Sequence, residues 1–337
     1  MIIKSVKLTN FRSHEEFLLS CWKETTMISG ENGGGKTSIL EAIYEAARGK
    51  SFRAVDKDIV KRGEGFYRVE MEYVGGEKVV VVYEVENEKK TFLVGDKKTA
   101  RLPKKYKYPI VLFEPSDLNL VATSPGKRRD YFDRMIGQLD ERYGGWVSKY
   151  NKALRQRNEL LKTEGVRRDE MVSWNVLLAK FGTEIWRARE GVVEKINEKL
   201  TEIYRSISEN ADALKIRLKR DLEQGGESGF LRKLEENFER DKIIGHTSFG
   251  GHRDNYEFWF NGVLAEGSAS RGEVRSMVVA LKFIEAEMIL KELGKPPVVL
   301  LDDVFSELDE TRQKALVRNF KRNQVIITSV GAVEDEV

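Results

Sequence analysis

Cysteine is nearly absent: Cys21 is the only one in 337 residues. No intrachain disulfide can form, and no cysteine-rich zinc cluster can be built. Net charge is nearly absent as well. The 58 basic and 55 acidic residues leave +3, so any surface for a polyanion has to be a local patch. No apolar run approaches the ~20 residues of a membrane-spanning helix. The first residues, Met1-Ile2-Ile3-Lys4-Ser5, carry an early charge and no signal-peptide core. A cytoplasmic chain without a membrane partner is therefore expected. Internal repeats and low-complexity linkers are missing too. What remains is a well-solvated chain, 34% charged, with length for two or three domains with substantial cores.

The stretch with the most chemistry in it is Gly30-Glu31-Asn32-Gly33-Gly34-Gly35-Lys36-Thr37-Ser38. It has glycine, four residues, then Gly-Lys-Thr. Upstream, Thr26-Met27-Ile28-Ser29 reads as a buried strand; downstream, Ile39, Leu40, Ile43 and Ala47 recur at helical spacing. Strand, glycine loop and helix are the parts of a phosphate-binding loop. The glycines let several backbone N–H groups converge on one phosphate. The following helix adds its unpaired N–H groups and the positive end of its dipole. Lys36 supplies a point charge for the β- and γ-phosphates, and the Thr37 hydroxyl can ligate Mg2+.

Along the chain, the spacing predicts strands over Ile3 to Phe11 and Phe17 to Leu19, and a hairpin from Val69 to Val85 turning at Gly75-Gly76. A further turn is expected at Gly95-Asp96, and a buried strand at Pro109 to Phe113. From about Ser124 the texture becomes helical. Apolar residues from Phe132 to Leu154, and again from Trp174 to Ile207, step at intervals of three and four, predicting two long amphipathic helices. Leu214, Ile216 and Leu218 alternate with Lys215, Arg217 and Lys219, giving a strand with one basic face, for which plain solvation is the default and a phosphate-contacting face the sharper alternative. Tyr256, Phe258 and Phe260 alternate before an Asn261-Gly262 turn. A long helix from Gly272 to Lys291, a strand at Pro297 to Leu301, a helix across Asp309 to Lys321 and a strand at Val325 to Thr328 complete the chain. The expected fold class is α/β, with an N-terminal head segment 1–122, a helical insertion 123–245 and a returning head segment 246–337.

The strand Val298 to Leu301 delivers Asp302 and Asp303 to its carboxyl end, where ligands of open α/β sheets bind. Asp302 suits a Mg2+ ion held opposite Thr37, and Asp303 suits polarisation of an attacking water, with Lys36 as its catalytic companion. Ser270-Arg271-Gly272-Glu273 precedes this strand and Ser306-Glu307-Leu308-Asp309 follows it. That order is similar to the ATP-binding-cassette class. There, a Ser-x-Gly signature at a helix N-terminus meets the γ-phosphate held by a second protomer. A serine hydroxyl, a glycine and a helix N-terminus make a second anion site.

Several stretches together resemble the RecF family of DNA recombination and repair ATPases. They include Asn10-Phe11-Arg12, Gly30 to Ser38, Leu40-Glu41-Ala42-Ile43, Lys50-Ser51-Phe52-Arg53 and Pro115-Ser116-Asp117-Leu118. Ser124-Pro125 with Arg128-Arg129, Gly251-His252-Arg253-Asp254, Ser270-Arg271-Gly272 and Leu301 to Asp309 belong to the same set. The resemblance implies a cassette-type, SMC-like ATPase head with a helical lid. It also implies ATP-driven homodimerisation on DNA and a role in single-strand gap repair and replication restart with RecR and RecO partners; the short Asp303 carboxylate, where many cassette ATPases have glutamate, fits slow, switch-like hydrolysis. It places ATP on Gly30, Glu31, Asn32, Gly33, Gly34, Gly35, Lys36, Thr37, Ser38 and Arg12, and Mg2+ on Thr37 and Asp302. The contact from the second protomer falls on Ser270, Arg271, Gly272 and Asp309. Arg53, Lys57, Lys61, Arg62, Arg128 and Arg129 are the candidate contacts to duplex or gap-junction DNA.

Two motifs depart from the family pattern. Glu273-Val274-Arg275 stands where Gln-Gln-Arg is expected, which brings an acid towards a phosphate site. Gly250-Gly251-His252-Arg253-Asp254-Asn255 stands for Gly-Pro-His-Arg-Asp-Asp. Neither change removes a phosphate ligand. Among rivals, a transporter subunit usually has a histidine after the final strand, where this chain has Thr328-Ser329. An SMC protein needs a far longer insertion. A cassette ATPase of another DNA-maintenance or defence system is the remaining alternative, though no added nuclease-like domain accompanies it.

Overall fold

The computed structural model describes residues 2–208, 210–221 and 225–330. Residues 331–337, which fall in the expected 246–337 segment, lie outside the described residues. The chain opens with β1 (Ile3–Phe11), β2 (His14–Ser20), β3 (Thr25–Gly30) and α1 (Lys36–Arg48). Then come β4 (Phe66–Tyr73), β5 (Lys78–Glu84), β6 (Lys89–Val94), β7 (Lys97–Thr99) and β8 (Ile110–Phe113). The middle holds α2 (Pro125–Leu139), α3 (Tyr143–Leu161), α4 (Arg168–Ser208), β9 (Leu214–Lys219), α5 (Gly226–Glu236), α6 (Phe238–Ile244), β10 (Asn255–Phe260) and β11 (Val263–Leu264). The chain closes with α7 (Arg271–Leu293), β12 (Val298–Asp302), α8 (Glu310–Asn319) and β13 (Val325–Val330).

Two compact units emerge, 1–118 with 285–337, and 119–284. The first contains two sheets. One is antiparallel, in the order β2-β1-β4-β5-β6-β7; the other is β3-β13-β12-β8, parallel throughout. The strands of the parallel sheet are apolar runs such as Ile110 to Phe113 and Val298 to Leu301, as a sheet covered on both faces requires. Helix α1 touches strands of both sheets. Its residues are buried from Ser38 to Ala47 on every side, so it reads as uniformly core rather than as a one-faced surface helix. One shared core joins Val6, Leu8 and Val69 of the antiparallel sheet, Leu40 and Ile43 of α1, and Leu112, Leu300 and Ile326 of the parallel sheet.

That location makes two acids of α1 conspicuous, since Glu41 and Glu45 are both 0% exposed. Glu45 pairs with Lys90 of β6 and leaves Oε2 without a partner among the described residues. Burial pushes its carboxyl up to about 7, against the attraction of Lys90.

In the second unit, α3 and α4 pack along each other, α4 covers one face of β9, and β9 pairs with β10 from Asn255↔Lys219 to Phe260↔Leu214. The sequence predicts one helix from Phe132 to Leu154, whereas the structure has two, α2 and α3. Asp140 is the cause. Its backbone is extended, and its carboxylate accepts from the Arg142 N–H at 2.9 Å, beginning a new turn. Helices α5 and α6 were not foreseen. The expected boundary at 245 also differs from the observed division, because the β9–β10 ladder ties 246–284 to the unit that begins at 119.

The unit's interior is held by buried arginines. Arg157, 0% exposed, donates to Asp241 (2.7 Å), Thr247 (2.8 Å) and Asn175 (2.8 Å). Arg189 bridges Asp133, Asp254 and the Gly251 carbonyl. His252 sits between the Tyr150 hydroxyl (2.9 Å) and the Thr247 carbonyl (3.0 Å), and burial holds its imidazole down to about 4.

Two outcomes follow. A Cβ at Gly182 of α4 would lie 2.5 Å from the Phe230 ring, which Trp186 and Phe249 wedge in place; a Cβ at Gly191 of the same helix meets nothing within 4 Å. Gly182→Ala is expected to lower unfolding stability by about 1–3 kcal/mol through overpacking. Gly191→Ala is expected to raise it by up to about 1 kcal/mol through helix propensity, with urea melts of both variants deciding. For Glu45, a carboxyl raised from 4.5 to about 7 gives stability that is complete below pH 4.5 and lost as pH rises towards 7. Melts from pH 5 to 7.5 should show that loss in the wild type and a flatter profile in Glu45→Gln; parallel profiles would disprove it.

Candidate nucleotide site

The phosphate loop leaves β3 at Gly30 and enters α1 at Lys36. Gly33 and Gly35 carry φ of +81° and +83°, which glycine adopts without strain. At Gly35 a side chain is doubly excluded, because a Cβ would stand 2.5 Å from His14 Nε2 and 2.7 Å from Ser13 Oγ. The Lys36 ammonium is folded over the loop, donating to the Gly30 carbonyl (2.9 Å) and the Glu31 carbonyl (3.0 Å). Those weak carbonyl partners are ones that a phosphate oxygen can replace with a stronger, charge-assisted bond.

One helical turn brings Thr37 to the end of β12, although β13 lies between β12 and the loop strand β3. The Thr37 hydroxyl donates to Asp302 Oδ1 at 2.8 Å, and the Thr328 hydroxyl of β13 donates to the same oxygen at 3.0 Å. Burial raises the Asp302 carboxyl above its ordinary range, with the Asp303 carboxylate adding to the rise and the two hydroxyls opposing it. Asp303 has φ +50°, and its N–H donates to Thr328 Oγ1 at 2.9 Å. Its Oδ1 is buried with no hydrogen-bond partner among the described residues. Asp303 shares a pocket with Arg12, Ser13, Asn32, Gly33, Gly35, Lys36, Thr37 and Ser38. A Mg2+ ion needs one or two carboxylates besides phosphate oxygens and water. The Thr37–Asp302 pair beside an orphaned Asp303 oxygen fits that requirement. No cluster of three or more His, Cys, Asp or Glu occurs among the described residues, so an all-protein metal cage is not what this site offers.

Behind the loop stands the residue that sequence reasoning missed as a site member. The Glu41 carboxylate accepts from Arg12 Nε (2.9 Å) and Nη2 (2.8 Å), from Arg53 Nε (2.9 Å) and from the Ser51 hydroxyl (2.6 Å). Burial pushes its carboxyl up, but the bonds from Arg12, Ser51 and Arg53 outweigh this and hold it below the ordinary range. The guanidinium of Arg12 is correspondingly raised by Glu41. A signal was available: Glu41 is an acid four residues after Thr37, inside an otherwise apolar helical pattern. Arg53 also reaches Ser38 Oγ at 3.3 Å.

The remaining predicted residues divide. Arg53 and Arg62, expected on DNA, line the loop pocket. Lys57 is exposed on a short 3-10 turn, and Lys61 pairs with Glu15 at 3.0 Å. Arg128 requires correction as a DNA contact: it is 4% exposed and donates inward to the Val121 carbonyl (2.8 Å) and Asn255 (3.0 Å). Arg129 is half-buried and bonds the Asp254 carbonyl at 2.6 Å. Asp309 caps α8, accepting from the Arg312 N–H at 3.0 Å.

Ser270, Arg271 and Gly272 open α7 in the second unit. The Ser270 N–H donates to Glu273 at 2.6 Å and the Glu273 N–H approaches Ser270 Oγ at 3.3 Å, a reciprocal capping box. The acid that departs from the family pattern is thus bound to its own helix end.

The sequence matches the family described as the RecF/RecN/SMC N terminal domain over residues 2–334. A relative from Clostridium perfringens called DNA replication and repair protein RecF is 31% identical, covering 99% of this chain and 94% of its own. One of the same name from Clostridioides difficile is 34% identical, covering 98% and 91%. Among solved structures, that of the recombination mediator protein RecF with ATP in the RecFOR pathway superposes with a TM-score of 0.88 at 28% identity, covering 99% and 93%. The Smc head domain of Pyrococcus furiosus, at 17% identity and a TM-score of 0.51, shares the fold over 98% and 90%.

Glu41→Gln removes the charge that holds two guanidinium groups beside the loop. Breaking a buried ion pair from one side costs about 3–5 kcal/mol. The variant should melt earlier and bind ATP at least about tenfold more weakly, a loss of about 1.4 kcal/mol. Calorimetric titration with unchanged affinity would show that the arginines are placed by other means.

Proposed function

The chain belongs to the RecF family of DNA replication and repair proteins, within the RecF/RecN/SMC group, and from that premise we propose that it is an ATP-governed DNA clamp. The observation that carries this reading is the meeting of Thr37 and Asp302 at 2.8 Å beside the unpartnered oxygen of Asp303. A phosphate loop alone says only that a nucleotide binds; a hydroxyl and two carboxylates at its rim add the means to hydrolyse it.

In this mechanism the loop N–H groups and Lys36 take the β- and γ-phosphates, Lys36 giving up its carbonyl partners to do so. Thr37 and Asp302 would hold a Mg2+ ion, which would supply charge neutralisation to the phosphate oxygens. Asp303 accepts a hydrogen bond from the attacking water and orients it in line with the γ-phosphate. Its side chain is one carbon shorter than the glutamate common in cassette ATPases, and a less well placed water gives slow hydrolysis suited to a switch. Arg12 and Arg53, fixed by Glu41, set the positive wall of the pocket.

Ser270 and Gly272 at the start of α7 reach the γ-phosphate of a second copy, so two ATP molecules are enclosed by a homodimer, and Asp309 contributes to the same junction. The unit of 1–118 with 285–337 acts as the ATPase head and the mainly helical unit 119–284 as its lid. ATP closes the dimer on duplex or gapped DNA, with Lys57 and Arg129 among the candidate contacts, and hydrolysis reopens it. RecR- and RecO-type mediators are the expected protein partners in gap repair.

Gel filtration and DNA binding with and without ATP test this. Wild type should dimerise and gain DNA affinity with ATP, and Lys36→Ala should do neither. Ser270→Arg should bind ATP yet stay monomeric. Asp303→Asn should dimerise but lose hydrolysis, leaving a persistent dimer. A wild type indifferent to ATP in both assays refutes the clamp.

A further inference from the structure

Strand β6 turns one cation towards the core. Lys89 is exposed, but Lys90 shares a strand face with Phe92 and Val94, both buried members of the core. The Lys90 ammonium pairs with the buried Glu45 of α1 and donates to Asp56 Oδ1 at 2.6 Å. The Tyr67 hydroxyl of β4 lies within hydrogen-bond reach of both acids, 3.2 Å from Asp56 Oδ1 and 3.4 Å from Glu45 Oε1. Lys90 therefore joins an acid inside α1 to an acid in the segment that follows α1.

That segment matters for what it holds. Asp56 opens the 3-10 turn Asp56–Asp58, which the Ile59 N–H closes on the Asp56 carbonyl at 3.1 Å. The carbonyls of the last turn residue and of Ile59 then serve Arg12. Arg12 Nη1 donates to the Asp58 carbonyl at 2.7 Å, and the Arg12 backbone N–H donates to the Ile59 carbonyl at 2.7 Å. Arg12 and Asp58 both line the loop pocket beside Lys36. Glu41 takes two nitrogens of the Arg12 guanidinium from α1, and the turn takes the third.

Stability alone does not account for this cluster. A buried ion pair is often no better than apolar residues of the same volume, and here Glu45 Oε2 is left without a partner among the described residues. What the cation supplies, and apolar packing does not, is direction: charge-assisted bonds to two acids fix α1, β6 and the turn relative to one another.

We propose that Lys90 is a positioning residue for ATP binding, anchoring the turn Asp56–Asp58 through Glu45 and Asp56 so that the turn holds Arg12 at the phosphate pocket. Lys90 touches no nucleotide itself; it acts through Asp56, Asp58 and Arg12. The inference rests on the ATP reading above.

The full chain is titrated calorimetrically with ATP and Mg2+, and steady-state hydrolysis separates KM from kcat. Lys90→Met should weaken ATP binding about three- to tenfold, the size of coupling found within one polar network. KM should rise to match with kcat changed less than about twofold, since the lost contact serves binding in ground and transition states alike. Lys90→Arg, which keeps a cation between the two acids, should restore most of the loss. Lys89→Met removes the same charge from the exposed side of β6 and should leave binding unchanged. Lys90→Met/Arg12→Ala should bind ATP no more weakly than Arg12→Ala alone, because nothing is left to position. Should Lys90→Met fold poorly, Asp56→Ala, which leaves the Glu45–Lys90 pair in place, carries the same expectations. Unchanged ATP affinity in the Lys90 and Asp56 variants, an equal loss in Lys89→Met, or additive losses in the double variant overturns the proposal. Calorimetric ATP binding needs neither DNA nor a second copy. A wild type that binds ATP but neither dimerises nor gains DNA affinity with it therefore refutes the clamp and leaves this comparison standing.

Discussion

The buried carboxylate of Glu41 imposes a constraint that the nucleotide pocket depends on. It is 0% exposed on a helix enclosed by two sheets, a position where an uncompensated charge costs several kcal/mol. Its four hydrogen bonds from Arg12, Arg53 and Ser51 are the compensation. They also bind two separate parts of the first unit to α1: the β1–β2 turn through Arg12, whose φ is +56°, and the segment after α1 through Ser51 and Arg53. Backbone in the left-handed region is unfavourable for an arginine, and a bidentate ion pair to an immobile carboxylate is what holds it there. The same four bonds aim two cations at the space above the loop, so the solution to a burial problem is also the electrostatic wall of the site.

Asp302 shows the same economy on the other side. It lies at the end of β12, separated from the loop strand by β13, and α1 and β13 each contribute a hydroxyl to one of its oxygens. Thr328 does two things at once, donating to Asp302 and accepting from the Asp303 N–H. The chain can therefore turn into the left-handed region at Asp303 without leaving that N–H unpaired, and the turn carries the Asp303 carboxylate to the rim of the pocket. The two acids are adjacent in sequence yet given different environments by one threonine hydroxyl.

The parts of this arrangement that were legible in the sequence are those written as local patterns. Gly30 to Thr37, the strand running into Asp302-Asp303, the Asn261-Gly262 turn and the basic alternation on β9 are all set by residues close together in the chain. Long-range consequences were not legible. Arg128 looks like any exposed arginine until Asn255, far along the chain, is seen to accept from it. The break at Asp140 falls inside an apolar period that continues on both sides, so periodicity hides it and only the carboxylate-to-backbone bond exposes it. The division at 119–284 depends on β9 pairing with β10, a register that spacing does not encode. Glu41 is the instructive miss, because an acid inside an apolar helical pattern already implied a buried partner.

Glu273 illustrates how a departure from a family pattern can preserve geometry and change electrostatics. A capping box accepts glutamate or glutamine at the third helical position with the same reciprocal bonds. The bond from the Ser270 N–H to Glu273 at 2.6 Å is one that a glutamine oxygen could also accept, so the start of α7 is built alike in either case. The difference is one negative charge placed on the positive end of the helix dipole. That charge stabilises α7 on its own, and it offsets part of the field with which Ser270 and Gly272 would draw in a phosphate. A chain with glutamate here has a firmer helix end and a less positive field at the first turn of α7.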